Sequence, residues 1–134
     1  MNTRKLKNSD WDTLKQWWDA WPEWPTPPKQ FLPENGTGGL MVEKDGNPIA
    51  SGFVYLSSNS KMGFIDWIIS NPSYRSDDRD EAIKILITDL EKIAKESGHI
   101  CVFSFTQHEK LIEKHKQLGW GVNETLSHEL IKIL

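Results

Sequence analysis

The stretch from Phe64 to Phe105 limits the fold more tightly than any other part of the chain. "FIDWIISN" (64–71) is an apolar run that ends at a proline. After the charged turn "YRSDDRD", Ile83, Leu86, Ile87, Leu90, Ile93 and Ala94 recur at spacings of three and four until Gly98, the signature of an amphipathic helix closed by glycine. "HICVFSF" (99–105) then reads as a strand rich in β-branched and aromatic residues, expected to be buried on both faces. Strand, helix and strand in this order form a crossover unit.

The segments before it supply a meander. "LMVEKD" and "PIASGFVYLSS" flank Asp45-Gly46-Asn47, a strong hairpin signal. A second turn at "NSKMG" leads into the crossover unit. Such a meander gives a mixed sheet with the helix packed on one face. At the N-terminus a short strand precedes a helix capped by Ser9 or Asp10, with Leu14, Trp17, Trp18 and Trp21 on one side. "WPEWPTPPKQFLPENGTGG" carries a proline every few residues and excludes regular helix or central strand. "EKLIEKHKQLG" reads as a shorter helix ending at Gly119, and "WGVNETLSHELIKIL" (120–134) as one or two final strands. With no repeat or linker, residues 1–134 form a single domain.

Composition narrows the function classes. A net charge of −3 argues against nucleic-acid binding. No apolar stretch approaches the roughly 18–20 residues of a membrane span, and the N-terminus lacks a signal peptide's apolar core, so the expected location is cytoplasmic. The single cysteine, Cys101, reads as a buried structural thiol without a base partner. The histidines lack metal-site spacing, so no metal is expected.

The order of elements resembles the GNAT superfamily of N-acetyltransferases over almost the whole chain. "IISNPSYR" resembles that family's fourth strand and its Val-x-Pro-x-Tyr-Arg exit, the periodic helix follows at the family's distance, and "HEKLIEKHKQLGW" resembles its late signature, with Leu118-Gly119-Trp120 for Leu-Gly-Phe. The nearest likeness is to small divergent members of the kind found in bacteriophages. The resemblance implies an α/β (α+β) fold: a mixed, mostly antiparallel sheet of six to seven strands flanked by helices. It implies acetyl-CoA as cofactor and direct acetyl transfer to an amine on a small molecule or protein. The alternative is a non-catalytic GNAT-fold binding module, such as a phage-encoded inhibitor of a host factor or a structural component. A homodimer is conceivable through the C-terminal strand.

The resemblance also implies site residues. Pantetheine would pair with the backbone of Ile68, Ile69 and Ser70, and a backbone N–H near Ile69 or Ser70 would stabilise an oxyanion. Pyrophosphate would meet Arg75, Ser76, Asp77, Asp78, Arg79 and Asp80. The family's two small positions in this loop fall on Asp78 and Asp80, where aspartate adds bulk and like charge. Asp78 with Glu81 also reads as an acidic capping box, so helix capping and a phosphate site reinforced by Arg75 and Arg79 both stay open. Asp66 stands where a family carboxylate acts as general base; the bland reading is a strand residue paired across to the hairpin. His108 and His115 hold the family's Asn and Tyr positions, and His115 could protonate the departing thiolate or be a satisfied core histidine. Trp17 and Trp18 are expected mainly in the core, with Trp21, Trp24 and Phe31 lining a substrate cleft.

Overall fold

The computed structural model describes residues 1–125 and 127–134. Its elements are β1 (Asn2–Lys5), α1 (Trp11–Ala20), β2 (Gly39–Lys44), β3 (Asn47–Leu56), β4 (Met62–Ser70), α2 (Arg79–Glu96), β5 (Cys101–Phe103) and α3 (Glu109–Gln117). The proline-rich segment contributes only two short 3-10 turns, Lys29–Phe31 and Pro33–Gly36. The sheet runs β1-β2-β3-β4-β5, with β1 to β4 antiparallel and β5 parallel to β4. Asp45 and Gly46 both take positive φ, 53° and 75°, which a tight two-residue hairpin turn requires.

Two apolar layers cover the sheet. On one side Ala82, Leu86, Leu90 and Ala94 of α2 pack on Leu40, Val42, Ala50, Val54 and Ile65. Gly52 makes this approach possible: a Cβ there would lie 3.2 Å from Ile68 Cγ1 and from Leu90 Cδ1. On the other side Leu14, Trp17 and Trp18 of α1 join Leu6, Leu32, Met41, Phe53 and Ile69. Arg4 fastens the N-terminus through two bonds of 2.8 Å to Asp10 and one of 2.9 Å to Glu43. Its hydrogen bonds hold the Asp10 carboxyl below the usual range, against the opposing effect of burial. Among the described residues no helix is long and apolar enough to cross a membrane.

Two expectations are corrected. The sheet has five strands among the described residues rather than six to seven. Residues 118–134 form no strand where they are described, and Leu130 and Ile131 are 90% and 71% exposed. Leu126, inside the segment expected to be β, lies outside the described residues. Likewise "HICVFSF" is not buried on both faces: only Cys101–Phe103 is strand, and Cys101 is exposed rather than a buried thiol. The causes are linked. A three-residue edge offers few ladder hydrogen bonds, each worth about 1 kcal/mol, against about 1–2 kcal/mol to order each residue of an added strand. With the outer edge of β5 left open, its side chains stay exposed.

Candidate active site

The parallel pairing of β4 with β5 covers only Met62↔Cys101, Gly63↔Val102 and Phe64↔Phe103. From there β4 runs on to Ser70 while β5 has ended, so the two strands part and leave a slot. Where they part, β4 also carries an extra residue. Ser51↔Ile69 and Phe53↔Asp66 set two steps of β3 against three of β4, and Trp67 takes φ +56°. A β-bulge accounts for both facts. Positive φ at a bulky residue costs on the order of 1–3 kcal/mol, and neighbouring contacts hold it in place. The Trp67 indole donates to Tyr55 Oη at 2.8 Å, and that hydroxyl donates to the Phe31 carbonyl at 2.7 Å. Trp18 packs edge-on to Trp67, with ring centroids 6.5 Å apart.

Asp66 sits beside the bulge on the α1 side of the sheet, the side of its partner Phe53. Its Oδ1 accepts the Trp67 N–H at 2.8 Å, and among the described residues no cation pairs with it. Its backbone pairs with Phe53 across the ladder to the hairpin, while among the described residues its side chain bonds no group of the hairpin. Burial pushes its carboxyl above the ordinary value; the Trp67 N–H opposes this and the charge of Glu129 adds to it. Tyr55, on the adjacent strand, is shifted up by burial, with the Trp67 hydrogen bond opposing and the Asp66 charge adding.

At the far end of β4, Asn71 N–H donates to the Ile49 carbonyl at 2.7 Å. Ladder alternation then turns the backbone of Ile69 toward β3 and that of Ser70 toward the slot. The Ser70 carbonyl accepts the Trp21 indole N–H at 3.0 Å. Trp21 packs on Trp24 at 5.6 Å, and Trp24 packs on His108 at 5.4 Å. The three rings link the end of β4 to the start of α3, across the slot.

The charged turn lies beyond Ser70. The first bond inside α2 is Ala82 N–H to the Asp78 carbonyl, so the amides of Asp80 and Glu81 precede it and face outward as free donors. Asp78 occupies the cap position without capping; its carboxylate instead accepts Lys44 Nζ at 2.7 Å and Tyr74 Oη at 2.6 Å. The expected Asp78–Glu81 capping box is therefore corrected, because stronger charge-assisted partners take the carboxylate. These two bonds hold the Asp78 carboxyl well below the usual range. Asp80 pairs with Lys114 of α3 at 3.2 Å, and Arg79 Nη1 donates to the Tyr74 carbonyl at 3.5 Å. Arg75, Ser76 and Asp77 are exposed, and Arg75 has no ion-pair partner among the described residues.

His115 is only 4% exposed. Its Nδ1–H donates to the Leu111 carbonyl at 2.7 Å, its ring stands perpendicular to Trp120 at 4.7 Å, and Nε2 has no partner. Burial lowers its pKa, against the Leu111 bond that raises it. Burial favours the neutral ring, and with Nδ1–H held by the Leu111 carbonyl that form has a lone pair rather than a proton at its free nitrogen. Asp66 and Trp67 thus lie on β4, Trp21 reaches the end of β4 through the Ser70 carbonyl and Trp24 bridges it to His108, Phe31 meets this region through its carbonyl on Tyr55, and His115 packs against Trp120. Two open hollows of about 420 and 610 Å³ lie along β5, bordered by Glu91, Cys101 and Val102, and neither is lined by a site residue expected from the sequence. Among the described residues no cluster could hold a metal ion.

Tyr55 and Lys114 do not stand out in the sequence. Tyr55 alternates with Phe53 along β3, which alone sets it on the Asp66 side. Lys114 is 7% exposed yet lies between polar neighbours in sequence, and only the packing of α3 on α2 buries it.

A meander, a bulged fourth strand and a fifth strand that parts from it before a long helix settle the architecture. The chain has the GNAT N-acetyltransferase fold. It superposes on wild-type TTHA1254 of Thermus thermophilus with a TM-score of 0.69 and 18% identity, over 98% of this chain and 97% of that one. The aminoglycoside 6'-N-acetyltransferase AAC(6')-IG of Acinetobacter haemolyticus matches with a TM-score of 0.62 and 21% identity, over 99% of each chain. N-acetylglutamate synthase of Neisseria gonorrhoeae, solved with coenzyme A and N-acetyl-glutamate, matches at 0.69 and 14%, over 86% of this chain and 27% of that one. No protein-family model matches the sequence, and no curated protein matches it. The likeness to the GNAT structures thus lies in the fold.

Proposed function

We propose that this GNAT-fold chain is an acetyl-CoA-dependent N-acetyltransferase acting on a small-molecule amine. The observation that carries the reading is the early end of β4–β5 pairing together with the bulge at Trp67, beside a carboxylate of raised pKa. Ile68 and Ser70 offer backbone groups along the slot, while Ile69 is turned to β3. The amides of Asp80 and Glu81, with Arg75, suit the pyrophosphate. The acids at the two small positions fit this better than their charge alone suggests, since Lys44 and Lys114 already neutralise Asp78 and Asp80.

Bound acetyl-CoA supplies an activated thioester. Asp66 would take the proton that the amine loses on acylation, while the sulfur that gives up the acyl group would take its proton from solvent. His115 does not serve as that acid in this scheme, because its free nitrogen carries no proton. The Ser70 N–H, facing the slot, suits the negative charge that develops on the acyl oxygen. The relatives' names, aminoglycoside acetyltransferase and N-acetylglutamate synthase, agree with an amine acceptor.

One observation favours a second reading, a GNAT-fold binding module without catalysis: the Trp21 indole already holds the Ser70 carbonyl at the slot. Calorimetry with coenzyme A separates the two. The enzyme reading expects micromolar binding, weakened roughly tenfold or more by Arg75→Ala through loss of a charge-assisted contact. Absence of binding at millimolar coenzyme A leaves only the module.

A further inference from the structure

On the α1 side of β4, two residues before Asp66, Phe64 is 39% exposed. Its partner across the parallel ladder is Phe103, 43% exposed, and two residues on comes Phe105, 65% exposed. The three rings stand nearly parallel, with centroids 5.8, 6.1 and 6.4 Å apart and interplanar angles of 29°, 23° and 14°. Residues two apart on a strand share a face, so this array runs directly into Asp66. Three half-exposed phenylalanines side by side form an unusual surface, and none of them takes part in the proton transfer described above. Two negative charges bear on the Asp66 end of the array. Asp66 carries no cation partner among the described residues, and Glu129 of the C-terminal segment adds its own negative charge to it.

We infer that this face binds the acceptor, a primary amine on a flat aromatic or otherwise apolar body, its ring on Phe64, Phe103 and Phe105 and its amino group at Asp66. The inference rests on the acetyltransferase reading and gives that site its substrate class. An ammonium beside two carboxylates matches their charge, and the same cation is attracted by the ring faces. A polyhydroxylated or many-charged amine fits poorly, since three phenyl rings offer it no hydrogen-bond partner and leave its polar groups desolvated. Offset or tilted stacking on the exposed rings is the favoured geometry for an aromatic body.

Binding is measured first without acetyl-CoA, by tryptophan fluorescence of the full chain, because Trp67 lies next to Asp66. The probes are 2-phenylethylamine, ethanolamine and spermidine; turnover with acetyl-CoA is then followed by thiol release. The expected result is saturable binding of 2-phenylethylamine, at least tenfold tighter than the other two, weakened about tenfold by Phe105→Ser. Phe105 is exposed, and the unfolding temperature of the Phe105→Ser protein is measured alongside to show that it still folds. Preferred binding or acetylation of ethanolamine or spermidine overturns the apolar acceptor and leaves the transferase standing. Binding of 2-phenylethylamine with no thiol release upholds the amine site and sinks the transferase. Failure to bind any probe overturns the inference, and a dimer seen by light scattering that Phe105→Ser dissolves then shows a second copy covering the rings.

Discussion

Replacing Asp66 by Asn is expected to make the protein more stable and less active, and the two effects have one cause. The Asp66 carboxylate is half-buried, accepts a single N–H from Trp67, and has no cation partner among the described residues. Ionising it in the fold is therefore harder than in the unfolded chain, which is why its carboxyl is shifted up. The folded state thus holds the proton more tightly than the unfolded state. Stability is greatest below the unfolded carboxyl's value and falls as pH rises through the folded one, then levels off. Asparagine keeps the acceptor for Trp67 and nearly the same volume while removing the charge. Removing a partly solvated, unpaired charge is worth about 1–2 kcal/mol, or roughly 3–8 °C in Tm for a domain of this size. If Asp66 is the base, acetyl transfer falls by roughly 10²–10⁴-fold. Thermal unfolding of both proteins from pH 4 to pH 8 is the assay. The Asp66→Asn variant should gain its advantage only as pH rises. A difference in Tm independent of pH, or a less stable variant at pH 8, would refute the reasoning.

Two further outcomes follow from particular contacts. Gly52→Ala places a Cβ about 3.2 Å from Ile68 and Leu90, so α2 must shift or strain; a loss of about 1–3 kcal/mol in chemical denaturation is expected, and a neutral result argues against so close an approach. Trp21→Phe frees the Ser70 carbonyl while keeping the ring, so coenzyme A should bind more tightly by calorimetry, by up to roughly tenfold for one hydrogen bond; unchanged or weaker binding means that this carbonyl is not used.

Much of the scaffold was legible because it follows from short-range pattern. The helix periodicity from Ile83 to Ala94 marked the face of α2 that is buried, and Asp45-Gly46 marked the hairpin turn. Asp66 was reached through its place on the fourth strand. Other features depend on partners distant in sequence. Asp78 looked like a cap until Lys44, 34 residues earlier, drew it away. Trp24 and His108 are far apart in the chain and meet only in the fold. His115 was open between acid and core residue, and its bond to Leu111 and burial under Trp120 fix its proton on the other nitrogen.

Up to the end of α3 the sequence by itself determined which segments hold strands and helices and their order, since periodicity, turn residues and glycine stops act within a few residues of themselves. It also determined that no disulfide closes within the chain, because a single cysteine has no partner. Only the tertiary structure decided where β4 and β5 separate, that Trp67 bulges, and that the last segment does not complete the sheet. Each is a balance of pairing, packing and chain entropy summed over residues far apart. The same balance left three phenylalanines exposed beside a carboxylate that has no cation partner among the described residues, a surface that no local pattern in the chain announces.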